Sequence, residues 1–204
     1  HGIGGSLVFD EVIKPLSAKF RVIVIDLPGF GNSDKPRIDY TIEFYSEFIR
    51  NFCVALNLER INLVGLSIGG MIAADFASKQ PEKVVNLFLA GSAGLKSVTN
   101  CLNNEIAFKV FSFFMKYFVF SNRIALRRFQ TGSFYNPKRI PKSVFDAFYN
   151  FLKMPGAKEA WFSTLKNVLK IDRSFFEKLK KINTNTVIIW GSDDRTFPVE
   201  LADE

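Results

Sequence analysis

The chain has 204 residues, 48% of them hydrophobic and 23% charged, with a mean hydropathy of +0.09; one domain with an insertion suits that length, and the composition excludes a disordered or collagen-like chain. Two cysteines, Cys53 and Cys101, with no CxxC or Cys/His spacing, make neither a disulfide framework nor a zinc site. The net charge of +7 is uneven: Gly94 to Asn183 holds 17 Lys and Arg against 5 Asp and Glu, net +12, while the rest of the chain is net −5.

The chain opens on His1-Gly2 and closes on Ala202-Asp203-Glu204, so it reads as an internal piece of a longer protein, and nothing about targeting or compartment follows from it. In chain order, Phe20 to Ile25 is a β-branched run ending at Asp26, which predicts a buried strand, and residues 27–33 are a string of turn formers. Between Thr41 and Leu58 the apolar residues Tyr45, Phe48, Ile49, Phe52 and Leu56 recur at three and four, with Thr41 placed to cap, which predicts a helix with one face on a sheet. Ile61 to Val64 is a second strand, Ile68 to Lys79 a helix stopped before Pro81, Val84 to Leu89 a third strand and Thr186 to Trp190 a fourth. Strand and helix alternate on both sides of the basic, Phe-rich stretch. The expected fold is therefore α/β, a mostly parallel sheet flanked by helices over residues 1–94 and 184–204, with a helical module inserted at 95–183.

Three short motifs carry chemistry. Gly65-Leu66-Ser67-Ile68-Gly69 is a GxSxG sequence between a strand and a helix. A nucleophile elbow needs a strained turn there, and its flanking glycines, Gly65 and Gly69, lack bulk where the chain folds back on itself. His1-Gly2-Ile3-Gly4-Gly5 matches the glycine-rich loop, with Gly2 as a motif glycine, whose backbone amide completes an oxyanion hole beside the amide that follows the nucleophile. The two donors would be Ile3 and Ile68. Last, Trp190-Gly191-Ser192-Asp193-Asp194 puts two acids in a polar turn after the final strand.

In this order, with Asp-Leu-Pro-Gly-Phe-Gly-Asn-Ser at 26–33, these motifs resemble the α/β-hydrolase fold family. The resemblance implies Ser67 as nucleophile and Asp194, four beyond Trp190, as the acid that orients a histidine, with Asp193 a solvated neighbour. The family order of serine, acid, histidine places that histidine beyond residue 204, since His1, the single histidine, belongs to the oxyanion loop by motif. Serine at the elbow implies acyl transfer with no cofactor and no metal, on a small-molecule ester or thioester of a lipophilic acyl group. A carbon–carbon hydrolase of ring-cleavage products is the alternative, disfavoured by Leu66 where that group carries Asn. A non-catalytic ligand-binding relative is the other.

The inserted module stands where the family places a cap that shapes the acyl pocket. Within it, Ile106 to Phe120 is apolar apart from a narrow stripe of Lys109, Ser112 and Lys116. Such a helix is expected to be buried on several sides; the other reading is an interfacial helix through which the cap meets a membrane surface. Nucleic acid is not an expected partner, because the basic residues are scattered among aromatics with no nucleic-acid fold signature.

Overall fold

The computed structural model describes residues 5–93, 104–131, 134–140, 142–194 and 196–202. Its centre is a parallel sheet of three strands, β1 (Ile61–Leu66), β2 (Val84–Ala90) and β3 (Asn185–Ile189), in the order β1-β2-β3. β2 is the middle strand, and Val84, Leu87 and Leu89 are buried on it, Leu87 and Leu89 sharing one face of the sheet. The register places Leu66, Ala90 and Ile189 in one row at the carboxyl ends. Everything that follows these three strands therefore emerges on the same edge.

Two of the helices around the sheet form as their sequence predicts. In α2 (Ile42–Ala55), Thr41 accepts a hydrogen bond from the Phe44 N–H at 3.0 Å and buries Tyr45, Ile49 and Cys53. α3 (Ile68–Lys79) is buried over every residue from Gly70 to Ala77, because it lies between the sheet and its neighbours α2 and α8. The one charge in that run, Asp75, is held by Lys79 at 2.8 Å. An eight-residue helix, α1 (Asp10–Ser17), was not expected from the sequence, where Pro15 argues against it.

The strand expected at Phe20 to Ile25 does not form. No partner strand lies beside it among the described residues, and Phe20 and Ile23 are exposed. β-Branched residues favour a strand, but a strand exists only through its ladder hydrogen bonds.

The segment expected as one inserted module contains α4 (Glu105–Phe114), which runs on through a π-helical turn (Met115–Val119), then α5 (Arg123–Thr131), α6 (Lys142–Lys153), α7 (Ala157–Leu169) and α8 (Arg173–Leu179). These helices divide between two cores. Met115, Phe120, Leu126, Leu152 and Phe162 form a separate cluster. By contrast, Ala160 of α7 and Phe175 of α8 belong to the main core with Leu27, Phe30, Tyr40 and Tyr45, and Trp161 packs against both clusters.

α7 is fastened to the sheet domain by close contacts as well as apolar burial. The Tyr45 hydroxyl meets Thr164 Oγ1 at 2.8 Å, Asn167 Nδ2 donates to Asp39 Oδ1 at 2.7 Å, and a side chain on Gly29 would come within 2.7 Å of Ala160 Cβ. The small residues let the loop backbone at Gly29 lie close against the Ala160 methyl of α7.

Candidate active site

Ser67 follows β1 and heads α3. Its backbone stands at φ 58°, ψ −125°, a region that a residue with a side chain reaches only at a cost of about 1–3 kcal/mol. The surroundings hold it there: the Ser67 N–H donates to Ala90 O at 3.0 Å, and the Ser67 carbonyl accepts from Gly70 N at 2.9 Å and Ala93 N at 3.1 Å. The turn also needs missing side chains. A Cβ on Gly65 would press on the Gly69 carbonyl oxygen and lie 2.6 Å from Gly70 Cα. One on Gly70, a residue the motif does not include, would press on Ser92 Oγ and lie 2.8 Å from Ser92 Cβ. Sequence reasoning missed Gly70 and Ser92; the run Gly69-Gly70 after the elbow was the available signal.

Ile68 is the first residue of α3. Its N–H belongs to the first-turn amides that have no acceptor inside the helix, at the positive end of the helix dipole. It therefore suits a developing oxyanion next to Ser67. Gly2 and Ile3, the other expected contributors, lie outside the described residues. The nearest described residue with a side-chain anchor is Ser6, whose N–H donates to Asp26 Oδ1 at 2.6 Å. Asp26 Oδ2 accepts from the Asn32 N–H at 2.9 Å, and the Gly31 backbone packs so closely on this carboxylate that no side chain fits there. Lys35 closes the loop by donating to the Gly31 and Ser33 carbonyls, and burial pulls its ammonium below the ordinary lysine range against the attraction of Asp26 and Asp34. Asp26 appeared in the sequence only as the end of a strand and start of a motif.

The two acids after β3 differ in what holds them. Asp194 is half-buried, and its Oδ1 accepts the N–H groups of Thr196 at 2.8 Å and Phe197 at 2.9 Å. Trp190 fixes the far side of this turn by donating its indole N–H to Phe197 O at 2.8 Å. The second Asp194 oxygen, Oδ2, faces Gly91 at the end of β2. Asp193 is exposed and accepts from the neighbouring Ser192 hydroxyl at 3.1 Å. Since β2 separates β1 from β3, Ser67 and Asp194 rise from the carboxyl ends of strands two places apart, about 10 Å at ~4.8 Å per strand. An imidazole hydrogen-bonded at both ring nitrogens bridges a gap of this kind once the side chains reach toward it. Among the described residues no group of three His, Cys, Asp or Glu is placed to hold a metal ion.

An apolar crevice of about 10 Å³, room for no more than a water molecule, lies at the seam between the 29–35 loop and the inserted helices, lined by Gly29, Phe30, Phe151, Leu152 and Trp161 among others. It is small beside ordinary small-molecule sites.

Comparison with known proteins gives a consistent relationship. A sequence profile described as the alpha/beta hydrolase fold matches residues 1–204. An uncharacterized protein of Mycobacterium tuberculosis is 40% identical over 101 residues, 49% of this chain and 30% of the relative. The 2-hydroxy-6-oxo-2,4-heptadienoate hydrolase of Pseudomonas putida is 28% identical over 99% of this chain and 73% of its own. Among solved structures, a candidate lipase of Acinetobacter baumannii superposes with a TM-score of 0.80 at 27% identity, over 100% of this chain and 68% of that one. The chain thus spans only part of the length of the relatives it matches.

Proposed function

Because the chain belongs to the α/β-hydrolase fold family, we propose that the full protein is a serine hydrolase that cleaves a carboxylic ester or thioester of a lipophilic acyl group. The observation that carries this reading is the backbone of Ser67, φ 58° at the junction of β1 and α3, which presents the side chain at the carboxyl edge of the sheet. Strain of this kind persists only where its surroundings over-determine it, and at a strand-to-helix turn it aims a nucleophile.

In this mechanism Ser67 Oγ attacks the acyl carbonyl and passes its proton to a histidine following residue 204 in the full protein. Asp194 holds that imidazole in the right tautomer and stabilises its charged form. The Ile68 and Ile3 amides take the negative charge of the tetrahedral intermediate, each worth about 2.7–4 kcal/mol where such donors have been removed. The histidine then protonates the departing alkoxide or thiolate. Water, activated by the same base, attacks the acyl-Ser67 ester and releases the acid. The cap in this reading is α4 to α6. The lipophilic preference is supported by the Phe-rich composition of the inserted segment.

A carbon–carbon hydrolase is the second reading, favoured by the substrate for which the Pseudomonas putida relative is named, a protein that aligns with nearly the whole chain. Leu66, the residue before the nucleophile, counts against it. The test is labelling of the full-length protein by a fluorophosphonate probe. Labelling should be present in the parent and absent in Ser67→Ala, and equal labelling of both would remove Ser67 from the mechanism. Turnover of nitrophenyl esters against a 2-hydroxy-6-oxo-dienoate separates the two chemistries.

A further inference from the structure

One apolar side of the Ile106 to Phe120 segment faces the molecule and a second apolar side faces out, with the polar stripe along the boundary between them. Lys116 is ion-paired with Glu159 of α7 and also lends its carbonyl to Lys158 Nζ at 3.2 Å, while the Ser112 hydroxyl is buried. Phe108, Phe111, Met115 and Val119 pack against the second core. That leaves Ile106, Val110, Phe113, Phe114, Tyr117 and Phe118, each 54 to 73% exposed. They follow one another at helical spacings of three and four along α4 and its π turn. The rings touch: Phe113 and Tyr117 centroids are 4.8 Å apart, Phe114 and Phe118 5.4 Å. An ordinary surface helix turns its charges outward, so a continuous outward aromatic face marks a contact surface.

Charge identifies the occupant. The aromatic face carries Lys109 at its edge, and Arg127 and Arg128 are exposed on α5 beside Ile124, itself an exposed apolar residue. The whole stretch 94–183 is net +12. A second copy of this chain would bring the same positive surface against itself, since a two-fold contact uses one patch twice. A folded protein partner would need directional polar groups to set its register, and the Tyr117 hydroxyl is the single polar group among the six side chains. A bilayer requires none: apolar side chains enter the boundary between headgroups and acyl chains, and Lys and Arg meet anionic headgroups.

We propose that the outward face of α4 and its π turn is a membrane-contact surface, which seats Phe113, Phe114, Tyr117 and Phe118 in an anionic bilayer and Lys109 among its headgroups. The proposal does not depend on the esterase reading. It is tested with full-length Ser67→Ala protein, so that hydrolysis plays no part, by co-sedimentation with vesicles of phosphatidylcholine alone and of phosphatidylcholine mixed with phosphatidylglycerol.

Binding is expected to the mixed vesicles and to weaken as salt is raised. Phe113→Ser with Phe118→Ser should lower the partition coefficient at least about tenfold, the loss that follows when two large apolar side chains no longer leave water. Lys109→Glu should weaken binding at low salt and converge on the parent at high salt. The Phe variant should keep its melting temperature, because both rings are exposed. No sedimentation with either vesicle overturns the proposal, as does equal binding by the Phe variant. A collapse of that variant's melting temperature would show that another part of the protein covers the face. Concentration-dependent dimerisation without vesicle binding would show that a second copy does.

Discussion

Asp194 Oδ2 and the Gly91 backbone face each other across the end of β2, so close that a Cβ on Gly91 would sit 3.4 Å from the oxygen. Two backbone N–H groups hold the other oxygen of the same carboxylate. One oxygen is thus fixed by its own loop, and the other is directed toward the edge where Ser67 stands. On this geometry Asp194→Asn should lower kcat on a nitrophenyl ester by roughly 10⁴, the scale reached when a triad aspartate loses its charge. Asp193→Asn, on an exposed turn, should leave kcat close to the parent's. Steady-state kinetics of the two variants decides the assignment, and the reverse ranking would move the acid by one residue.

The elbow glycines should fail in different ways. A methyl group at Gly65 meets backbone, the Gly69 carbonyl and Gly70 Cα, and nothing can be trimmed to admit it. A methyl at Gly70 meets the side chain of Ser92. Overpacking of this kind typically costs about 1–3 kcal/mol. Gly65→Ala should therefore lower the melting temperature and fluorophosphonate labelling with no rescue by Ser92→Gly. Gly70→Ala should recover part of its lost stability when combined with Ser92→Gly. Thermal melts of the single and double variants measure the coupling directly.

The buried bond between α2 and α7 predicts both a mutational order and a pH dependence. Thr164 donates its hydroxyl proton to Ala160 O at 2.9 Å, so the Tyr45 hydroxyl is the donor toward Thr164. Tyr45→Phe removes one hydrogen bond and should cost about 0.5–1.5 kcal/mol, whereas Thr164→Val leaves the buried phenol without an acceptor and should cost about 1–3 kcal/mol. Urea midpoints give the ranking. Burial, opposed by the Thr164 hydrogen bond, pushes the Tyr45 phenol far above its ordinary range. The folded state then keeps a proton that the unfolded chain loses above about pH 10. The contribution is complete below that pH and is lost as pH rises beyond it. Tyr40 is shifted upward by burial as well, so Tyr45→Phe should flatten the alkaline decline in stability without removing it.

The lipophilic reading makes its own demand on kinetics. If the acyl chain enters an apolar pocket beneath the cap, kcat/KM on nitrophenyl esters should climb from acetyl through butyryl to medium-chain substrates, by up to about 0.8 kcal/mol for each buried methylene. A flat or falling series, with turnover of a 2-hydroxy-6-oxo-dienoate, would favour the carbon–carbon chemistry.

What the sequence determined by itself was local. The helix over 68–79, the Thr41 cap, the three strands of the sheet and the strained serine between Gly65 and Gly69 follow from turn chemistry and short-range periodicity, and the structure keeps each within a residue or two. Tertiary structure decided what depends on a neighbour. Phe20 to Ile25 has the residues of a strand and lacks a ladder partner among the described residues. Asp194 differs from Asp193 through two loop amides and through Gly91, 103 residues earlier in the chain. The apolar segment from Ile106 was legible as a helix, but its orientation was not. Its periodicity predicts burial on several sides, yet one side alone meets the protein: Phe108, Phe111, Met115 and Val119 pack in the second core and leave the aromatic side turned outward. Periodicity specifies which residues share a face of a helix; the second core, to which Leu126, Leu152 and Phe162 contribute from α5, α6 and α7, selects the face that meets the protein.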